Sequence, residues 1–132
     1  ASAQTCLHGA DETPREADRR AIALSAVRVI NSAQANRLNP VPLEQLADSP
    51  AVRAMRAEAG PLGDAARVMR FDREEMLPGW RVHFVLAARG YAIMLRDSRT
   101  TCGFTSWSNE TGEIVQGYPI ARGLPRLLPT SE

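Results

Sequence analysis

The chain has 132 residues and a mass of 14.4 kDa, with acidic and basic residues intermixed to a net charge of +1. That is enough for one domain with a real core, and it provides no patch for nucleic acid or for a membrane surface. All 16 basic residues are arginine, which excludes Schiff-base lysine chemistry, a phosphate-loop lysine and lysine isopeptide crosslinks.

Residues 1–12 hold no periodic pattern and read as an extended arm with a flexible point at His8-Gly9. Their first four, Ala1-Ser2-Ala3-Gln4, match the small-residue pattern left around a signal-peptidase site, which points to secretion into an extracellular or periplasmic space. Cys6 and Cys102, an even pair in a small exported chain, are expected to form a disulfide. The sequence leaves open whether that bond lies within one chain or joins two.

Thr13-Pro14-Arg15-Glu16 combines an N-cap hydroxyl, a proline at the first helical position and a glutamate three residues after the cap. The helix it starts is expected to run to Leu38, before Asn39-Pro40. On a helical wheel Asp18, Ser25, Arg28, Ser32 and Asn36 form a polar wedge, and Ile22, Leu24, Ala26, Val27, Val29, Ile30 and Ala33 spread over much of the rest. An apolar face so wide exceeds what one sheet covers. Its second flank, rich in Ala17, Ala21, Ala23 and Ala35, is therefore a candidate for packing outside the fold.

Pro40-Val41-Pro42 is a stiff turn, and Leu43 to Leu46 is at most one helical turn. Ser49-Pro50 starts a short helix that places Val52, Met55 and Ala59 on one face and ends at Gly60-Pro61, with a further turn over Asp64 to Met69. After Pro78-Gly79 the period becomes two. Trp80, Val82, Phe84 and Leu86 point one way, Arg81 and His83 the other, and Arg89-Gly90 turns the chain into Tyr91 to Leu95. Strands over Gly103 to Ser108 and Glu113 to Gly117 follow, joined by the turn sequence Asn109-Glu110-Thr111-Gly112. The expected fold is α+β: a long N-terminal helix covering one face of a four-stranded antiparallel meander, over residues 13–120. The tail, 121–132, is broken by prolines but keeps Leu124, Leu127 and Leu128, so it is expected to lie on a surface.

The segment Ile30-Asn31-Ser32-Ala33-Gln34 in a long helix, a strand opening Leu77-Pro78-Gly79-Trp80, the strand Gly90-Tyr91-Ala92-Ile93 and the closing Glu110-Thr111-Gly112-Glu113-Ile114 resemble the globular part of bacterial type IV pilin-like proteins. The resemblance spans about residues 14–120. It implies a helical spine against an antiparallel sheet, and a non-enzymatic structural or adhesive role. Pilins also carry an apolar N-terminal helix with an acidic residue near its start, and here the polar arm stands in that place, so assembly through such a helix is not expected.

Candidate chemistry is sparse. Cys6 with His8 or His83 lacks a third orienting group and an oxyanion loop. Two histidines and two cysteines without paired spacing make no metal site, and Asp72, Glu74 and Glu75 lack the alternation and the glycine of a calcium loop. No catalytic residue, metal or cofactor is expected. Among Trp80, Tyr91, Trp107 and Tyr118, Trp80 shares the face of Val82 and Phe84 and reads as core, whereas Trp107 alternates against Phe104 and Ser106 and reads as surface. Asn109-Glu110-Thr111 is also formally a glycosylation sequon on a turn.

Two functions follow as expectations. The first is a self-assembling structural subunit of an extracellular assembly or filament, meeting copies of itself through Ala17, Ala21, Trp107, Leu124, Leu127 and Leu128. The second is a monomeric secreted binding or adhesion module that takes a glycan or protein on the Trp107 face. Neither involves nucleic acid or a membrane span.

Overall fold

The computed structural model describes residues 13–35, 37–99, 104–121 and 124–127, with the backbone alone described for 118–121 and 124–127. Thr13 opens the fold as its sequence dictates: its N–H donates to Glu16 Oε1 at 2.9 Å, and the Glu16 N–H donates to Thr13 Oγ1 at 3.2 Å. This reciprocal pair satisfies two otherwise orphaned donors at a helix start. The helix, α1 (Pro14–Ala35), ends before the expected Leu38, and Leu38 itself is fully exposed.

The short helices follow as α2 (Leu43–Leu46), α3 (Pro50–Arg56) and α4 (Pro61–Val68). Ser49 caps α3 by accepting the Val52 N–H at 3.3 Å. Ala59 lies past the end of α3 and is exposed, while Val52 and Met55 are buried. Pro61, expected only as a stop signal, also occupies the first turn of α4, where a missing N–H costs nothing. The turn expected over Asp64 to Met69 is thus the end of a longer helix.

A five-stranded antiparallel sheet in sequential order follows: β1 (Trp80–Leu86), β2 (Tyr91–Asp97), β3 (Thr105–Asn109), β4 (Ile114–Ala121) and β5 (Leu124–Leu127). The α+β fold expected from the sequence, a long helix on an antiparallel meander, is present, and its four strands correspond to β1–β4. The tail adds β5 as an edge strand. Pro119 stands opposite Pro125 beside a register shift, which suits both prolines because Pro125 is on the edge strand and Pro119 lies past Gly117, the last residue of β4 that pairs with β3.

α1 touches β2 and β3 on one side and α2, α3 and α4 on others. Its apolar width is consumed internally. Ala23, Ala26, Val27, Val29 and Ile30 are fully buried, together with Leu46 and Val52 from the short helices and Ile93 and Leu95 from the sheet. Of the flank reserved for an outside partner, Ala23 is buried in the core and Ala17 half-buried, while Ala21 and Ala35 stay exposed beside Ile22, Arg28 and Ser32 on the solvent stripe. Ser25, assigned to the polar wedge by periodicity, is buried as well.

The segment Ile30 to Gln34 fastens the fold. Asn31 Nδ2 donates to Ser108 Oγ at 2.8 Å, and Asn31 Oδ1 accepts the Tyr91 hydroxyl proton at 2.6 Å. Ser108 Oγ passes its own proton to the Glu113 carbonyl at 2.6 Å. Three residues on, Gln34 Nε2 donates to the Val41 carbonyl at 2.7 Å and Gln34 Oε1 accepts the Val41 N–H at 3.0 Å, pinning the loop after α1 as a sheet neighbour would.

Candidate interaction surface

The sheet has two chemically different faces. Trp80, Val82, Ile93 and Leu95 point toward α1 and are buried. On the outer face, strand register aligns His83, Met94, Trp107 and Val115 in one row across β1 to β4, with Val85, Ala92 and Asn109 in the next and Arg81, Arg96 and Thr105 on the other side. The first two rows, with Thr111 and Glu113 at the rim, line a shallow hollow of about 390 Å³. A second hollow, of about 610 Å³, continues from Val85 and Ala92 over Ala87, Ala88 and Glu110 at the hairpin end. Val85 is 65% exposed and lines both hollows with Ala92, so they form one apolar surface of the kind that marks an interaction site.

The end of the sheet beneath this surface is held by carboxylate and amide contacts. Glu110 Oε1, on the β3–β4 turn, accepts the Tyr91 N–H at 3.0 Å across the neighbouring β1–β2 turn. Asn109 Oδ1 accepts from the Thr111 N–H and hydroxyl at 2.9 and 2.6 Å, and Gly112 supplies the left-handed φ of 83° that closes the turn. Burial pushes the Tyr91 hydroxyl pKa up from 10.0 to about 12, helped by the nearby Glu110 charge. This tyrosine stays protonated and serves as a donor to Asn31.

At the opposite end, Arg19 donates to the Asp97 carboxylate at 2.9 and 3.3 Å and to the Gly79 carbonyl at 3.3 Å, with its guanidinium 5.0 Å from the centre of the Trp80 ring. Gly79 has a φ of 83°, which favours glycine, and a Cβ there would stand 2.7 Å from Arg19 Nη2 and push the guanidinium aside. Trp80 packs edge-on against Phe104 at 6.1 Å, which makes it the core residue expected from the alternation.

The expected surface residues are not all brought together. Trp107 is half-buried on the outer face as its alternation predicted, but Ala17 and Ala21 belong to α1, on the other side of the sheet. Leu124 and Leu127 lie on β5, beyond β4 from Trp107, with only their backbone described. Leu128, Cys6, Cys102 and the arm over 1–12 lie outside the described residues. Sequence reading missed Val85, Met94 and Val115. The unbroken apolar runs Phe84-Val85-Leu86, Tyr91-Ala92-Ile93-Met94-Leu95 and Ile114-Val115 were their signal, since apolar residues at both parities leave some on each face.

Chemistry-bearing side chains are otherwise dispersed. Glu75 accepts the Gly79 N–H at 2.8 Å and Glu74 pairs with Arg81 at 3.0 Å, so the acidic run beside Asp72 is divided between separate partners. Among the described residues no group of three or more His, Cys, Asp or Glu side chains is placed to share a metal ion, and no helix is long and apolar enough to cross a membrane. No family model, no curated protein and no solved structure matches this chain.

Proposed function

We propose that this chain is a non-enzymatic, pilin-like structural subunit of a bacterial extracellular assembly or filament, acting after secretion and associating with copies of itself. The observation that carries the reading is the apolar outer surface of the sheet, where Val85, Met94, Trp107 and Val115 stand clear of the core that α1 and the short helices fill. The pilin-like spine supports it, because the polar residues of the Ile30 to Gln34 segment serve fastening and leave this surface as the unspent apolar area. In this reading self-association runs through the sheet and the two ends of the chain, and Cys6 and Cys102 form a bond within or between subunits. The test is native particle size by light scattering, followed by negative-stain imaging of the largest species. Regular fibres are expected; a 14.4 kDa particle that stays so under oxidising conditions overturns the proposal.

A second reading, a monomeric secreted binding or adhesion module for a glycan or protein, is favoured by one feature. The Trp107 hollow is rimmed by His83, Asn109, Thr111 and Glu113, polar groups beside an aromatic platform. Saturable binding to a glycan panel, abolished by Trp107→Ala in a monomeric protein, would select this reading over the first.

A further inference from the structure

β1 is an edge strand whose two halves are treated differently. Its first half is covered: the Trp80 N–H donates to the Leu77 carbonyl at 2.9 Å and the Val82 N–H to the Glu74 carbonyl at 2.8 Å. These bonds also fix the parity of the strand. In an antiparallel ladder alternate residues point their backbone groups to opposite sides, so Phe84 and Leu86, like Val82, aim theirs away from β2. Among the described residues nothing takes those two N–H groups. The open stretch is apolar, with Val85 65% and Leu86 41% exposed and Ala87 and Ala88 following. Natural sheets blunt such an edge with charge, proline or a cover, and this chain does so only as far as Val82.

We infer that the Phe84–Leu86 edge pairs antiparallel with the same edge of a second copy of this chain, about a two-fold axis through Val85. In that register Phe84 and Leu86 of the two copies exchange backbone hydrogen bonds, Val85 faces Val85 of the second copy on the outer face, and Phe84 packs beside the opposing Leu86 on the inner face. Every cross-strand pair is apolar, and one patch complements itself, as a two-fold contact requires. The cover at Glu74 selects this occupant. A long foreign strand would run into it beside Val82, whereas the second copy turns away there, since its Ala88 and Arg89 form the two-residue turn closed by the Ala87 N–H to Gly90 carbonyl bond at 2.8 Å. Pairing also joins the two outer apolar surfaces through Val85 and Ala92.

The inference rests on the self-association reading above and names its contact. Sedimentation equilibrium of the full chain, from micromolar concentration upward, is expected to give twice 14.4 kDa for the basic unit, and the Val85→Lys variant is expected to return it to 14.4 kDa with an unchanged circular dichroism spectrum. Val85→Cys, oxidised beside the wild-type chain, should add a reducible dimer, because residues facing each other without hydrogen bonds approach within disulfide reach. Ala92→Cys, one strand further in, should add none. A wild-type chain that stays monomeric, a Val85→Lys chain that dimerises like the wild type, or equal crosslinking at both positions overturns the pairing. Fibres that survive Val85→Lys overturn it while leaving the assembly reading intact. A dimer that never grows larger supports the pairing and counts against the filament.

Discussion

Asp97→Ala should be the most damaging polar substitution in the described part of the chain. The Asp97 side chain is 8% exposed and that of Arg19 21%, and the carboxylate also accepts the Arg99 N–H at 2.9 Å. Removing one partner of a fully buried pair costs about 3–5 kcal/mol, whereas an exposed pair is worth about 0–1 kcal/mol. Arg19 keeps some water, the Gly79 carbonyl and the Trp80 face, which places the loss of its carboxylate at about 2 kcal/mol, with about 1 kcal/mol more for the orphaned Arg99 N–H. The sum, about 3 kcal/mol, corresponds to a fall in urea midpoint of about 1–3 M at the usual dependence on denaturant. Asp64→Ala is the control: its pair with Arg67 is 65% and 45% exposed, so a change within about 0.5 kcal/mol is expected. In a double-mutant cycle, Arg19→Leu with Asp97→Ala should cost less than the two separate losses by about 1–2 kcal/mol, because the double variant leaves no stranded charge. Additive losses, or an Asp97→Ala midpoint no lower than that of Asp64→Ala, would refute the view that this pair anchors α1 to the sheet.

Three further outcomes follow from the geometry. Tyr91 has its pKa raised by burial to about 12, against 10.0 ordinarily, so it favours the folded state fully below pH 10 and loses that contribution as pH rises toward 12. The loss amounts to about 2–3 kcal/mol, seen as a falling alkaline limb in the unfolding free energy that Tyr91→Phe should flatten. Gln34→Leu strands the Val41 N–H and carbonyl, and should cost about 1–3 kcal/mol with faster hydrogen exchange at the Val41 amide; an unchanged exchange rate would show that the loop holds itself. Ser106→Ala should be neutral or stabilising by up to about 1 kcal/mol in thermal unfolding, because the Ser106 Oγ is buried with no hydrogen-bond partner among the described residues; a clear loss would point to an unseen partner.

The residues that specify each element lie within a few positions of one another, which is why the sequence alone determined the capping box at Thr13 and Glu16, the alternation from Trp80, the Asn109 to Gly112 turn and the outward placement of Trp107. Each of these depends on local backbone geometry and on the periods of helix and strand. Tertiary structure decided the rest. A helical wheel counts how wide an apolar face is but cannot say what covers it, so Ala23 read as part of a docking flank with Ala17 and Ala21, although the core takes Ala23 and leaves Ala21 exposed. The same limit put Ala17 and Trp107 in one candidate surface, although a whole sheet separates them. Arg19 and Asp97 are 78 positions apart, and Asn31 and Ser108 are 77 apart. Such partners meet only through the register of β2 and β3 beneath α1, and no local pattern encodes that register.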